Sequence, residues 1–246
     1  MALRVGLRKT SLVDYPGRVA AVLFFPLCNL RCPWCHNPEL VLPPVPGDGA
    51  DGLVDLETAF SLVESRRNVL GGVVLTGGEP TLRSELPEII SRFKATLIAV
   101  KLDTNGTRPQ ALANLLADES TKPDYIALDL KLAPARYGEL ISRQNEEGEQ
   151  EGDLGAAIMK SAALLCSSGI EHEFRSLALG EDCFTEADIA SLAPLVDDAP
   201  WYFAPFRPGN CLSESWNARP PILLDDAKRL AALACAYGKA GKVRSG

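Results

Sequence analysis

Short apolar runs alternate with longer amphipathic stretches along this chain, and this alternation constrains its fold more than any other feature. The pattern is typical of parallel strands joined by helical crossovers. The predicted strands are Val19–Phe25, Gly72–Leu75, Thr96–Leu102, Tyr125–Asp129, Glu171–Leu177 and Trp201–Phe206. The predicted helices are Asp55–Val69, Arg83–Lys94, Pro109–Leu116, Gly152–Ser167, Thr185–Leu195 and Leu224–Tyr237. Six such units predict an α/β fold with an open or incomplete barrel.

The length and composition favour one domain that spans residues 1–246. The chain is 46% hydrophobic, which is ample for a core, and it contains no internal repeat. A proline- and glycine-rich stretch at 41–52 and an acidic stretch at 145–153 interrupt the pattern, so we predict solvated connections there. The last residues, from about Lys239, are short and basic, and we predict a flexible tail.

The overall charge limits the classes of partner. A net charge of −7 and a pI near 5.0 argue against a surface built for nucleic-acid phosphates. The sequence shows neither a secretory signal nor 18 uninterrupted apolar residues, so we expect a cytoplasmic protein with no membrane span. Four of its seven cysteines are scattered and are interpreted as small buried residues: Cys166, Cys183, Cys211 and Cys235.

The other three cysteines lie close together after the first predicted strand, at Cys28, Cys32 and Cys35. Three thiolates on one loop suit an iron–sulfur cluster, whereas a closed thiolate site needs a fourth protein ligand. No second cysteine pair with matching spacing follows, and His36 is a poor fourth ligand because it adjoins Cys35. The loop therefore predicts a cluster with an open position that can coordinate a small molecule.

Polar residues also follow the remaining strands, at the edge where parallel α/β folds collect their reactive groups. These residues are Gly77, Gly78, Glu79 and Pro80 after the second strand, Asp103, Thr104 and Asn105 after the third, Asp129 and Lys131 at the fourth, Arg175 on the fifth and Arg207 after the sixth. Their shared placement predicts one site at this edge.

Each motif alone has an ordinary structural explanation. The two glycines at 77–78 could form only a tight turn, and Asn105 followed by glycine is ordinary turn chemistry. Asp129 and Lys131 share one face of a strand and could form a structural ion pair. Trp34 could cover the cysteine loop and exclude water, or contact a purine. Their occurrence together with the cysteine loop favours a cofactor site.

The CxxxCxxC spacing of Cys28, Cys32 and Cys35, followed by GGEP at 77–80, resembles the radical S-adenosylmethionine superfamily. The resemblance implies a partial (β/α)6 TIM-like barrel, the radical SAM fold. It also implies one [4Fe–4S] cluster held by the three cysteines, with S-adenosylmethionine on its fourth iron. Reductive cleavage of that cofactor yields methionine and a 5′-deoxyadenosyl radical, which abstracts hydrogen.

The same resemblance implies which residues contact the cofactor. Glu79, with the backbone of Gly77 and Gly78, would receive the methionine ammonium. Asp103 and Thr104 match the place where a related enzyme holds a monovalent cation, and Lys131 would help neutralise the cofactor carboxylate. The full set of implied cofactor-binding residues is Trp34, Gly77, Gly78, Glu79, Pro80, Asp103, Thr104, Asn105, Asp129, Lys131 and Arg175.

Four further motifs are similar to the glycyl-radical-enzyme activating proteins, most of all those of anaerobic ribonucleoside-triphosphate reductase. They are SLVDYPG at 11–17, CHNPE at 35–39, LDTNG at 102–106 and DLK at 129–131. The similarity implies an oxidoreductase that abstracts hydrogen from a glycine of a partner glycyl radical enzyme, with flavodoxin or ferredoxin as electron donor.

Three alternatives stay open from the sequence. A radical SAM enzyme acting on a small molecule could use the same barrel. The chain could also activate another glycyl radical enzyme, such as pyruvate formate-lyase. A zinc-stabilised or redox-sensing interaction protein is the alternative outside enzymology, and it predicts a colourless protein that is indifferent to oxygen.

Overall fold

The structure is a computed structural model, and it describes residues 3–41, 52–141 and 153–244. The connections predicted at 41–52 and 145–153 therefore fall almost wholly outside the described residues. The described residues form two compact units. The first unit takes its residues from Met1–Asn29, Asn37–Thr104 and Gln110–Ile126, and the second takes its residues from Leu30–His36, Asn105–Pro109 and Ala127–Gly246.

The first unit is built on five strands in the order β3, β1, β2, β4, β5. Their bounds are Arg4–Ser11 for β1, Ala20–Phe25 for β2, Val54–Asp55 for β3, Gly72–Gly77 for β4 and Ala99–Thr104 for β5. Strands β2, β4 and β5 are parallel, whereas β1 runs antiparallel to β2 and to β3. The register places Leu23 opposite Leu75, and Leu75 opposite Leu102.

The helices of this unit are α1 (Leu56–Ser65), α2 (Leu86–Ala95) and α3 (Pro109–Leu116), of which Pro109 belongs to the second unit. Each helix turns an apolar stripe inward, as in α2, where Leu86, Ile89, Ile90 and Phe93 are buried. Strands β2 and β4 each bury four consecutive residues, which is typical of parallel strands covered on both faces.

The second unit continues with four strands in the order β6, β7, β8, β9. Their bounds are Tyr125–Asp129 for β6, whose first two residues belong to the first unit, Glu171–Ala178 for β7, Pro200–Pro205 for β8 and Ala240–Val243 for β9. Strand β8 is parallel to both β7 and β9. Its helices are α4 (Leu154–Ser167), α5 (Glu186–Leu192), α6 (Glu214–Asn217) and α7 (Leu224–Ala236).

All six predicted strands and all six predicted helices are present, with ends that differ by a few residues. Helix α5 begins after Thr185, which caps it, because the Thr185 hydroxyl accepts a hydrogen bond from the Asp188 backbone while the Asp188 carboxylate accepts one from the Thr185 backbone. Strands β1, β3 and β9 were not predicted. Strand β1 carries five charged or hydroxyl side chains in eight residues, so it lacks the apolar run used to recognise the others.

The predicted flexible tail from about Lys239 is wrong for the described residues. Residues Ala240–Val243 form strand β9, which pairs with β8, and Arg244 forms an ion pair with the buried Glu173. Backbone pairing and a buried carboxylate therefore order a segment whose basic composition resembled a solvated tail. Among the described residues, no helix combines the length and the apolar character required to cross a bilayer.

Candidate functional site

The cysteine loop starts in the first unit, directly after β2. Leu27 has a left-handed backbone with φ of 83°, and its N–H donates to the Leu40 carbonyl over 2.7 Å. The N–H of Cys28 donates to the Val41 carbonyl over 3.2 Å. These backbone bonds fix the turn that presents the first cysteine.

Cys32 and Cys35 belong to the second unit and form a tight turn. The Cys35 N–H donates to the Cys32 carbonyl over 3.0 Å. The Cys35 carbonyl in turn accepts from Leu212, and the Pro33 carbonyl accepts from Ser213. Because Leu212 and Ser213 come from a distant part of the sequence, this turn is braced by tertiary hydrogen bonds.

Two aromatic contacts surround this turn. Trp34 is 7% exposed, and its ring lies 5.1 Å from that of Trp216. His36 stacks on Phe206 at a ring separation of 5.6 Å, and its Nε2 lies 2.6 Å from the Arg207 carbonyl. Since a carbonyl can only accept, this Nε2 carries a hydrogen and is directed at the backbone.

Gly77 and Gly78 lie so close to neighbouring main-chain atoms that no residue with a side chain could replace either one without displacing those atoms. We call this pair of residues the glycine cradle. Gly77 has φ of 118°, and a Cβ on it would lie 2.3 Å from the Phe25 nitrogen. A Cβ on Gly78 would lie 2.1 Å from the Leu27 carbonyl oxygen. The main chain after β4 thus passes against the main chain after β2 at a distance only glycine allows.

Glu79 is buried directly after this cradle, with 1% of its surface exposed. Its Oε1 accepts hydrogen bonds from the Thr81 N–H, from the Thr81 hydroxyl and from the Thr104 hydroxyl, the last over 2.8 Å. Pro80 begins the 3-10 turn that carries Thr81. The predicted residues Glu79 and Thr104 therefore belong to one hydrogen-bonded group in the first unit, and Pro80 lies beside it.

Asp103 is compensated by a lysine that the sequence analysis missed. Lys101, two residues earlier on β5, is 1% exposed, and its ammonium bonds the Asp103 carboxylate. The same ammonium lies 5.9 Å from the centre of the Tyr125 ring. Lysine is rarely buried inside a strand, so a lysine within a predicted buried strand was the feature of the sequence that could have identified this residue.

Asn105 lies in the second unit and closes a turn. Its side-chain oxygen accepts from the N–H and the hydroxyl of Thr107, over 3.0 and 2.7 Å. Asn105 is 4% exposed. The geometry is the local turn chemistry expected for an asparagine at this position.

Asp129, Lys131 and Arg175 form a charged cluster in the second unit. Arg175 Nε donates to Asp129 Oδ1 over 2.7 Å, and Lys131 Nζ lies 3.2 Å from Asp129 Oδ2. Burial alone would raise the pKa of Asp129, but the two cations outweigh it and lower that pKa to about 2. The Asp129 side chain is therefore a carboxylate at every physiological pH.

The hydroxyl of the buried Tyr137 contacts the backbone of this cluster. Its hydroxyl accepts from the Lys131 N–H over 3.0 Å and lies 3.5 Å from the Asp129 carbonyl. Burial strongly raises the pKa of Tyr137, so the phenol stays protonated.

A cavity of about 240 Å³ opens beside this cluster, within the second unit. Four predicted residues line it, namely Trp34, Asp129, Lys131 and Arg175. The sequence analysis missed three polar residues of its wall, Ser176, Tyr202 and Arg244. Tyr202 alternates with the buried Trp201 and Phe203 on β8, and that alternation was a usable signal. Arg244 was missed because its strand was interpreted as a tail.

The chain matches a family model described as the radical SAM superfamily over residues 22–177. It is 29% identical over 239 residues to a protein of Methanocaldococcus jannaschii named "Putative glycyl-radical enzyme activating enzyme MJ1227", and this match covers 96% of the chain and 93% of that relative. It is 34% identical over 121 residues to a Pyrococcus horikoshii protein named "Probable GTP 3',8-cyclase", a match that covers 48% of the chain and 37% of that relative.

Solved structures with the same fold are similar at low sequence identity. QueE of Escherichia coli aligns with a TM-score of 0.57 at 15% identity, over 100% of this chain and 95% of that one. SuiB of Streptococcus suis bound to S-adenosylmethionine aligns with a TM-score of 0.59 at 16% identity, over 91% of this chain. The chain spans 52% of the length of SuiB. These similarities bear on the fold alone.

Proposed function

The chain belongs to the radical SAM superfamily, whose cofactors are a [4Fe–4S] cluster and S-adenosylmethionine, and we propose that it is a glycyl-radical-enzyme activating protein. Its substrate would be a glycine Cα–H on a loop of the partner enzyme, which we propose is an anaerobic ribonucleoside-triphosphate reductase. When both cofactors are bound and the cluster is reduced by flavodoxin or ferredoxin, they supply the 5′-deoxyadenosyl radical that removes this hydrogen.

The residues present fit these cofactors. Cys28, Cys32 and Cys35 supply three thiolates at the family spacing, and we assign them as the cluster ligands. Glycines at 77 and 78 let the end of β4 pack directly against the start of the cysteine loop, since any side chain there would collide with the main chain of Phe25 or Leu27. The buried carboxylate of Glu79, which accepts hydrogen bonds from hydroxyl and amide donors, suits an ammonium group that binds in a site shielded from water.

The second unit supplies the other proposed contacts. Lys131 and Arg175 line the cavity and hold the Asp129 carboxylate in its ionised form. A carboxylate of fixed charge and position can accept hydrogen bonds from ribose hydroxyls without a change in protonation. The Trp34 ring offers an aromatic face on the same cavity, which suits a purine. The roles of Asn105, Pro80, Asp103 and Thr104 in cofactor binding are part of the same proposal.

The observation that carries the proposed activating function is the extent of the match to the M. jannaschii protein. It spans nearly the whole of both chains, whereas the match to the named GTP cyclase spans 37% of that relative. A whole-length match includes the parts of the chain that would differ between substrate classes. We therefore place the activating function first.

A small-molecule substrate is the second candidate, and the charge of the cavity favours it. Lys131, Arg175 and Arg244 line the cavity; the first two pair with Asp129 and the third pairs with the buried Glu173, so three cations face two carboxylates. A cationic lining suits an anionic group such as a phosphate or carboxylate. The relatives named for GTP cyclisation, which match about half of this chain, give this candidate its chemical class, an anionic nucleotide.

One anaerobic experiment separates the candidates. The protein is reconstituted with iron and sulfide, reduced, and mixed with S-adenosylmethionine and an anaerobic ribonucleoside-triphosphate reductase. We expect 5′-deoxyadenosine together with a glycyl-radical signal in the electron paramagnetic resonance spectrum of the partner. A partner with its radical glycine replaced by alanine should give no such signal.

Matched cysteine variants control this experiment. Cys32→Ala should abolish both the iron–sulfur absorbance and the radical, whereas Cys235→Ala, at an exposed cysteine, should leave both unchanged. Formation of 5′-deoxyadenosine with GTP but never a radical on any glycyl radical enzyme would favour the second candidate. A stable cluster that never yields 5′-deoxyadenosine would refute both.

A further inference from the structure

Cys166, His172 and Asp197 bring three potential metal ligands together at a place with no role in the proposed function. Cys166 lies in the last turn of α4, His172 is the second residue of β7, and Asp197 lies just before β8. Their Sγ, imidazole nitrogen and carboxylate oxygen all lie within 4.8 Å of one another. The group sits at the start of β7 and β8, away from the strand ends that carry the cofactor motifs.

The hydrogen bonds of His172 indicate what this group is built for. Its Nδ1 lies 2.7 Å from the Ile170 carbonyl, which can only accept, so Nδ1 carries a hydrogen. In the neutral imidazole, Nε2 then presents a lone pair, and this lone pair faces the Asp197 carboxylate at 3.1 to 3.2 Å. Two acceptors at this distance require either an extra proton on the ring or a cation between them.

The spacing suits a cation. Zinc bonds of about 2.0–2.1 Å to imidazole nitrogen and carboxylate oxygen, in tetrahedral geometry, separate the two ligand atoms by roughly 3.3 Å. A thiol, an imidazole and a carboxylate together form a mixed sulfur, nitrogen and oxygen set, which favours zinc over calcium or magnesium.

The groups behind the ligands are those that orient metal ligands in proteins. A backbone carbonyl on the far ring nitrogen fixes the tautomer that leaves Nε2 available. The ring is also held edge-on to Phe174 at 5.5 Å. The Ala199 N–H donates to Asp197 Oδ1 over 2.9 Å and fixes the carboxylate. The Asp197 side chain is 33% exposed, so an ion can enter from solvent.

We propose that Cys166, His172 and Asp197 bind one zinc ion, with water as the fourth ligand. The ion would link the end of α4 and the start of β7 to the connection that precedes β8. This inference does not depend on radical chemistry, because none of its ligands belongs to the proposed cluster or cofactor contacts.

The test uses cobalt(II) as a spectroscopic substitute for zinc, in a background with Cys28, Cys32 and Cys35 replaced by serine so that no cluster cysteine can bind metal. We expect the visible bands of tetrahedral cobalt and a thiolate-to-cobalt charge-transfer band. Cys166→Ser should abolish the charge-transfer band. His172→Gln and Asp197→Asn should weaken zinc binding by more than about 100-fold, since even outer-shell changes cost 10–100-fold. Cys235→Ser should change nothing.

The wild-type holoprotein provides a second measurement if the triple-serine background does not fold. X-ray absorption at the zinc edge should then show one sulfur and several nitrogen or oxygen ligands. Metal analysis should find one zinc per chain in addition to the iron. Zinc should also raise its melting temperature, an effect that Cys166→Ser removes. An unchanged cobalt spectrum in Cys166→Ser, or folded protein that binds no zinc, would overturn the site and leave a protonated His172 paired with Asp197.

Discussion

The carboxylate of Glu173 accepts two parallel hydrogen bonds from the guanidinium of Arg244, over 2.9 and 2.7 Å. Glu173 is fully buried on β7, and Arg244 follows the last strand, β9, with its guanidinium 4.0 Å from the Tyr202 ring. This ion pair thus connects the last described residue of the chain to a buried residue of the second unit. Since Arg244 also lines the cavity, this ion pair shapes the candidate site.

We predict that Arg244→Met lowers the free energy of unfolding by about 3 kcal/mol, because it leaves the Glu173 charge buried without its bidentate partner. Urea denaturation measures the loss. The double variant Arg244→Met with Glu173→Gln should recover at least half of it, since the buried charge is then removed. Lys242→Met, at an exposed position on the same strand, is the matched control and should lie within about 0.5 kcal/mol of wild type. Equal effects of the two methionine variants would contradict this account.

The ionisation of Asp129 predicts a specific loss of stability in acid. Its pKa in the folded protein is about 2, below the ordinary value of 3.8, so the carboxylate stabilises the fold above pH 4 and this contribution disappears as the pH falls toward 2. The shift corresponds to about 2 kcal/mol. Asp129→Asn should therefore lose stability near pH 7 but approach wild type near pH 2. Denaturation curves across this range measure the difference, and a constant difference would contradict the assigned pKa.

The strand pattern was the most reliable guide to the fold. Buried strands of parallel type, such as Ala20–Phe25 and Tyr125–Asp129, present runs of apolar residues that are visible without tertiary information. Strand β1, by contrast, lies next to the short β3 and carries Arg4, Arg8 and Lys9, so its pairing depends on neighbours that the sequence does not identify. Strand β9 depends in the same way on β8 and on the distant Glu173.

The candidate site was predictable where residues act through motif spacing. Trp34, Asp129, Lys131 and Arg175 were singled out from the sequence, and the structure places all four on one cavity. Ser176, Tyr202 and Arg244 were not, because the first two lie on strands rich in packing residues and Arg244 lies in the segment that was predicted to be a tail. Their position in the cavity wall depends on contacts between segments that are far apart in the sequence.

The close packing at the glycine cradle predicts that one methyl group added at Gly78 strongly lowers stability and activity. In Gly78→Ala the new Cβ would meet the Leu27 carbonyl oxygen at 2.1 Å, and this oxygen already accepts the Glu79 N–H over 2.8 Å. We expect a loss of about 3 kcal/mol in unfolding free energy, as for an overpacked core, and loss of S-adenosylmethionine cleavage. Gly138→Ala is the control, because no atom lies within 4 Å of its added Cβ. A fully active and stable Gly78→Ala protein would show that the cradle is not needed.

The buried ammonium of Lys101 leads to the last prediction. Its side chain is 1% exposed and that of its partner Asp103 is 11% exposed, so removal of the ammonium leaves a carboxylate in a site with little water. Lys101→Met keeps the length of the side chain and removes the charge. We expect a loss of about 3 kcal/mol in urea denaturation, and recovery of more than half of it in the double variant with Asp103→Asn. Lys9→Met, at an exposed position, should lie within about 0.5 kcal/mol of wild type. If the double variant is no more stable than Lys101→Met alone, the lysine supports the fold through packing, and its charge does not compensate Asp103.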